Sequence, residues 1–163
     1  MPRGTRAGDS GPPPGTPRLA ALRLLGRRDY SSTELVTRLV DRGYAVDDVR
    51  TAIDALTADG TIDDRRTAFT HVRTAARIKG RGIHRIRREL EARGIAAPII
   101  REALDQLSPD DDLQAIQRWL SRRRLPHPIP YEQRRRLFAQ LLRRGFPAPL
   151  IGRALDFTPS GDE

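Results

Sequence analysis

From Leu19 onward the apolar residues recur at three- and four-residue spacing, the mark of helices that bury one face. No run sustains the period-two alternation of a half-buried strand. The helical pattern then repeats. Glu34–Tyr44, Arg85–Ile95 and Arg136–Phe146 lie over one another: an apolar residue, Leu four positions later, and Gly four after that. The glycines are Gly43, Gly94 and Gly145, at intervals of 51 residues, each preceded by Arg and followed by a large apolar side chain. The register continues past them, with Val49, Ile100 and Ile151 equivalent, then Ala52, Ala103 and Ala154, then Ile53, Leu104 and Leu155. A glycine at the end of an apolar helical face predicts a helix stop, because the closing residue needs a positive φ. A second helix follows each stop. Ser31 with Glu34 reads as a capping box, Pro98 and Pro149 suit a first helical turn, and Ser108-Pro109-Asp110-Asp111 combines an N-cap with acids that favour the helix dipole.

Each repeat also has a leading helix. The first covers about 18–28, with Leu19, Leu22 and Leu25 on one face. The second covers about 63–78, with Ala68, Val72, Ala75 and Ala76 inward, and the third about 110–123, with Leu113, Ile116, Trp119 and Leu120. The expected fold is therefore all-α: three tandem three-helix repeats, about nine helices, in an elongated, curved solenoid-like array. A unit of ~50 residues is marginal alone and gains from stacking on its neighbours. The boundaries expected are 18–61, 62–107 and 108–157, and Pro126, Pro128 and Pro130 stiffen a longer link within the third repeat. Residues 1–17 hold five prolines and four glycines and little to bury, which predicts a disordered tail. Residues 158–163 form a short acidic tail.

Composition narrows the function classes. The chain has 163 residues, 37% apolar and only 5% aromatic, enough for thin helical layers rather than one thick core. There is no cysteine, which excludes disulfides and thiolate chemistry and fits a reducing cytoplasm. No run approaches the ~20 apolar residues that span a bilayer, and the first 17 residues lack the apolar stretch of a secretory signal. A cytoplasmic monomer without a membrane partner is expected. The net charge is +9, and 29 of the 30 basic residues are arginine, a choice that genomic base composition also explains. The charge is uneven: +1 over 1–17, zero over 18–61, +5 over 62–107, +5 over 108–157 and −2 over 158–163. Such asymmetry favours a polyanionic partner, against the alternative of an arginine-rich solvated surface.

Taken together, the words of the repeat resemble the RecX family of bacterial recombinase regulators. The first repeat carries Ala21-Leu22-Arg23-Leu24-Leu25, Arg27-Arg28, Ser31 and Glu34-Leu35. The second carries Gly60-Thr61-Ile62-Asp63-Asp64, Ala68, Arg77, Lys79-Gly80, Ile86, Glu89-Leu90 and Arg93-Gly94-Ile95, the stretch most typical of the family. The third repeats the leucine–glycine ending. The resemblance runs from about Arg18 to Phe157. Thr67 stands where the family usually has an aromatic, with Phe69 two positions on, and most of the family's lysines are arginines here. The resemblance implies a regulator, not an enzyme, without cofactor or small-molecule substrate. It implies binding to the RecA recombinase filament on single-stranded DNA, with double-stranded DNA a further candidate ligand. It also implies restraint of the recombinase's ATPase, strand-exchange and co-protease activities, and so a role in homologous recombination, DNA repair and the SOS response. A free-standing helix-turn-helix-like DNA-binding protein is the alternative, with the cationic second helices entering a groove.

The candidate partner or DNA contacts are Arg77, Lys79, Arg81, Arg85, Arg87 and Arg88, followed by Arg122 and Arg123 (with Arg124) and Arg134 and Arg135 (with Arg136). Arg81, Arg85 and Arg88, at i, i+4 and i+7, are expected to form one cationic stripe whose charge reversal abolishes inhibition at unchanged helix content. The Lys79-Gly80-Arg81-Gly82 linker is expected to present backbone N–H groups to an anion at the next helix start. For each set a solvated helix face, or a partner for a helix C-terminal dipole, is the competing reading. Asp63-Asp64 reads as a helix start rather than a catalytic or metal pair. His71, His84 and His127 lack metal spacing. Trp119 reads as a packing residue rather than a base-stacking platform.

Overall fold

The structure, a computed structural model, describes residues 14–156. The acidic tail at 158–163 and residues 1–13 of the expected disordered segment lie outside the described residues. Among the described residues there are nine α-helices and no strand. They are α1 (Pro17–Leu25), α2 (Ser32–Val40), α3 (Val46–Ala58), α4 (Asp64–Arg73), α5 (Ile83–Ala92), α6 (Ala97–Leu104), α7 (Pro109–Ser121), α8 (Tyr131–Arg143) and α9 (Ala148–Leu155). A π-helical turn, Thr74–Ile78, continues α4. The chain divides into two compact units after Asp64.

In the first unit α1, α2 and α3 pack around Leu35, Leu39, Val49 and Leu56, all fully buried. The inner face of α1 differs from the expected one. Leu19 and Leu22 are 44% and 39% exposed, and Ala20, Ala21 and Leu24 are buried instead. Two small residues let α1 approach α3 closely, and that contact turns the leucines one step toward solvent. The helix also starts inside the segment expected to be disordered, with Pro17 in its first turn and the Thr16 hydroxyl accepting from Leu19 N–H at 3.3 Å. The capping box on α2 forms as read: Ser31 Oγ accepts from Glu34 N–H at 3.1 Å, and Glu34 Oε2 accepts from Ser31 N–H at 3.0 Å. Asp64 stands in the first turn of α4, and its carboxylate also accepts from Ser32 N–H (2.7 Å) and Ser32 Oγ–H (2.6 Å).

The second unit holds two cores. One gathers Ala68, Val72, Ile86, Leu90, Ile100 and Ala103; the other gathers Ile116, Leu137, Leu141, Phe146 and Ile151. Across both units the three equivalent glycines adopt the positive φ their place requires, 91°, 69° and 88° at Gly43, Gly94 and Gly145. The residue after each glycine donates back to the equivalent leucine carbonyl: Tyr44 to Leu39 at 3.2 Å, Ile95 to Leu90 at 3.2 Å, Phe146 to Leu141 at 3.3 Å. That six-to-one bond is the Schellman closure, and it folds the next apolar side chain onto the finished helix.

The π-turn departs from the continuous helix expected to residue 78. Lys79 N–H bonds to the Thr74 carbonyl, five residues back, at 3.1 Å. A regular α-helix carrying Val72 and Ala75/Ala76 inward would next turn residue 79 inward, and a lysine there would be desolvated without a partner. Widening the last turn keeps Ala75 and Ala76 both buried and leaves Arg77, Ile78 and Lys79 exposed, Ile78 at 80%. Single π-turns of this kind recur at functional sites.

Candidate functional site

The basic residues of the second unit are organised by one junction, where the start of α5 meets the end of α8. Gly82 N–H donates to the Arg144 carbonyl and His84 N–H to the Gly145 carbonyl, both at 3.0 Å. Between them, Ile83 N–H donates to the buried carboxylate of Asp112 on α7. Of the backbone amides expected to face an anion at residues 79–82, those of Lys79, Arg81 and Gly82 donate instead to the carbonyls of Thr74, Ala75 and Arg144. Carbonyls at one helix end meeting amides at another align the two macrodipoles head to tail. Burial drives the Asp112 pKa up to about 6, which the Ile83 hydrogen bond only partly offsets.

Arg144 lies at the same junction. Its Nη2 donates to the carbonyls of Lys79 (3.3 Å) and Gly80 (3.2 Å), fastening α8 to the turn that follows the π-helix. Among the described residues no carboxylate stands within ion-pair distance of it. Burial, followed by repulsion from Arg123, Arg85 and Arg81, pulls its pKa below the ordinary arginine value.

The expected stripe of Arg81, Arg85 and Arg88 does not form. Arg81 precedes the N-cap of α5 and is not helical, so helical spacing does not govern it. It bends back so that Arg81 Nη1 and Arg85 Nε meet the two oxygens of Glu89 at 2.6 and 2.9 Å. His71 Nε2 is 3.0 Å from Glu89 Oε2. Burial would raise the Glu89 pKa, but hydrogen bonds from Arg85, His71 and Arg81 outweigh it and hold the carboxyl below its usual range. Burial lowers the His71 pKa in spite of Glu89, which favours the neutral imidazole, and next to that carboxylate Nε2 is the nitrogen placed to donate. Glu89→Gln leaves Arg81 and Arg85 without a counter-charge and is expected to cost about 1–2 kcal/mol at pH 7.5, a half-exposed network being weaker than a buried one. A depressed carboxyl pKa contributes stability above its unfolded value and loses it as pH falls through the folded value. The Gln variant should therefore converge on the parent in urea melts on the acid side.

Two contiguous hollows open between the π-turn and α7. One, of about 450 Å³, is lined by Arg77, Arg81, Asp111, Asp112 and Arg118 among others. The other, of about 70 Å³, is lined by Arg77, Lys79, Arg118, Trp119, Arg122 and Arg144 among others. Arg77, Ala115 and Arg118 form their common wall. The cleft thus carries six cationic side chains against two carboxylates, of which Asp111 is engaged by Ser108 N–H at 2.8 Å.

Of the candidate residues, Arg77, Lys79, Arg81 and Arg122 line this cleft. Arg85 is held by Glu89. Arg87, Arg88 and Arg124 are exposed and line neither hollow. Arg123 lies over the Trp119 ring at 3.2 Å from its centroid and donates to the Trp119 carbonyl at 2.7 Å. Arg134 donates to the Asp156 carbonyl at 2.9 Å, while Arg135 and Arg136 are exposed on α8. Arg118 and Arg144 join the cleft although the sequence marks neither as a contact, Arg144 standing out only as the residue before Gly145; what places them is the contact of α7 with the π-turn and the α8–α5 junction. Trp119 is half-buried and packs against the third core while lining the smaller hollow. Among the described residues no group of His, Cys, Asp and Glu could hold a metal ion, and no helix is long and apolar enough to cross a membrane.

Three three-helix repeats closed by the same glycine motif, with their excess charge in the second and third, define a class of tandem-repeat all-α protein. The models for RecX, first, second and third three-helix domains match residues 18–56, 63–104 and 110–155. The chain belongs to the RecX family. It is 42% identical over 121 residues to the regulatory protein RecX of Chromohalobacter salexigens, covering 74% of this chain and 79% of the relative. The regulatory protein RecX of Halorhodospira halophila is 37% identical over 146 residues, 88% of this chain and 89% of the relative. The crystal structure of RecX from Lactobacillus salivarius shares the fold, with a TM-score of 0.75 at 22% identity over 86% of this chain and 94% of that one.

Proposed function

We propose that this protein binds the RecA recombinase filament on DNA in the cytoplasm and inhibits its ATPase, strand-exchange and co-protease activities, in control of recombination, repair and the SOS response. The observation that carries the reading is membership of a family whose relatives are named regulatory proteins, matched over 74% and 88% of this chain and 79% and 89% of theirs. The physical support is the charge distribution: the first repeat is neutral, and the second and third carry +5 each. A filament of recombinase on single-stranded DNA is a polyanion with repeating grooves, and cations spread over two repeats engage it at several points at once.

The helix-turn-helix reading is weaker on geometry. Such modules contact bases with the first residues of a helix in the major groove. The first residues of α5, one of the two basic second helices, are packed against Arg144, Gly145 and Asp112, and the more basic α8 opens on Tyr131-Glu132-Gln133 rather than on its arginines. The third helix of the first repeat, α3, carries Asp47, Asp48 and Asp54 against a single arginine, Arg50. Mobility shifts with single-stranded DNA, with and without recombinase, test the difference. Retention on recombinase-coated DNA with only weak, sequence-independent binding to bare DNA is expected. Tight, sequence-dependent binding to duplex alone would count for the helix-turn-helix protein.

A further inference from the structure

We infer that the cleft between the π-turn and α7 is a seat for the phosphodiester backbone of single-stranded nucleic acid, gripped by Arg77, Arg118, Arg122 and Arg144 beside Trp119. The choice of ligand rests on the DNA-bound partner proposed above; the site itself rests on the geometry.

Three features point to it. The first is an excess of positive charge in a concave place, offset only in part by Asp111, whose carboxyl is held below its usual range first by Ser108 and then by Arg77 and Arg118. Six cations line the two adjoining hollows, and among the described residues only Arg81 of the six has a carboxylate within ion-pair distance. On an open surface such cations are solvated and need no partner. Inside a cleft they repel one another through a medium less polar than water, and an arriving polyanion removes that cost. The second is Arg144. Its guanidinium is fixed by two backbone carbonyls, partly desolvated and surrounded by Arg81, Arg85 and Arg123, so it is pre-positioned rather than free to swing. Its buried Nε has no hydrogen-bond partner. With Nη2 committed to those carbonyls and Nε buried, Nη1 is the nitrogen left to meet a phosphate oxygen, held in place by the rest of the group. The third is the aromatic neighbour. Trp119 lines the smaller hollow next to Arg122 and Arg144, and although Arg123 covers one face of the ring, so that a base stacks there only by displacing it, an aromatic set among cations along a groove is how single strands are held without sequence preference. An acidic peptide would use the arginines equally well but has no use for an indole at the same wall, which favours the nucleic acid.

The chain carries its own reporter, because Trp119 is its only tryptophan. Titrating the full-length protein with oligo(dT) should change Trp119 fluorescence, with an affinity that falls steeply as salt rises. Arg77→Glu/Arg118→Glu/Arg122→Glu substitutes three exposed side chains without ion pairs. It should keep its helical circular dichroism, weaken oligo(dT) binding about tenfold or more and flatten the salt dependence. The milder Arg118→Gln/Arg122→Gln should fall between it and the parent. Arg87→Glu/Arg88→Glu, outside the cleft, should weaken binding far less. The inference is overturned if oligo(dT) leaves Trp119 unchanged, if the outside pair loses as much affinity as the cleft variants, or if polyglutamate acts on Trp119 as strongly as oligo(dT). Normal oligo(dT) binding in a protein that fails to inhibit recombinase would uphold the cleft and refute only the regulatory role. Full inhibition without any oligo(dT) response would do the reverse.

Discussion

Replacing Gly145 by alanine should destabilise the protein by at least about 3 kcal/mol, the largest effect expected of any single small substitution in it. Two costs add at this position. Its φ of 88° lies in the left-handed region, where a Cβ is strained. That Cβ would also sit 2.3 Å from the backbone nitrogen of Arg85. Neither backbone can retreat, because the Gly82 and His84 amides are bonded to the carbonyls of Arg144 and Gly145. Gly82→Ala should behave alike, its Cβ falling 2.4 Å from the Gly145 carbonyl. Gly60 supplies the control: its φ is 75° but nothing lies within 4 Å of the added atom, so Gly60→Ala should cost only about 1–2 kcal/mol. Urea unfolding followed by circular dichroism reads all three. Equal losses at Gly145 and Gly60 would mean that α8 does not close on the start of α5.

Asp112→Asn should stabilise the protein at pH 7.5 and leave it nearly unchanged near pH 4. Asp112 is a carboxyl whose folded pKa, about 6, lies above its ordinary 3.8. Between those values the native state holds a proton that the unfolded chain has released. The stability this group contributes is thus fully present below about pH 3.8 and is lost as pH rises through 6. A shift of this size corresponds to about 2–3 kcal/mol at neutral pH. Asparagine still accepts from Ile83 N–H and never ionises, so it keeps the helix cap and escapes the desolvation. Asp112→Ala orphans that amide and should cost about 1–2 kcal/mol at pH 4, where the charge is absent in both proteins. Urea midpoints of the three proteins at pH 4 and 7.5 give the answer. A lower midpoint for the Asn variant at pH 7.5 would show the carboxylate to be worth more to α5 as a charge than its burial costs.

The repeat was legible because each of its parts is local. The Leu–Gly ending, the Ser31–Glu34 box and the prolines at 98 and 149 all act within one or two turns of helix, so spacing alone finds them. The inward set Ala68, Val72, Ala75 and Ala76 was equally plain, since it keeps the helical period. What escaped the sequence lies in contacts between distant residues. Asp112 reaches Ile83, Gly145 meets Arg85, and Arg144 binds Lys79 and Gly80, pairs that no periodicity links. The stripe through Arg81, Arg85 and Arg88 failed for the same reason: its spacing is helical, but the chain at Arg81 is not. The face of α1 was misjudged because leucine outranks alanine in hydrophobicity, whereas close approach to α3 favours the smaller side chain. Of the candidate site, the sequence offered the basic segments 77–88 and 122–136 but not the cleft that joins Arg77 and Lys79 to Arg118, Arg122 and Arg144.

The regulatory role itself is tested most directly by recombinase ATPase on single-stranded DNA, titrated with this protein. The account predicts a falling rate, reached at well below one regulator per recombinase subunit if filament ends are blocked and near saturation if the groove is coated. An ATPase rate unchanged at a molar excess of the protein, with filaments intact, would contradict it.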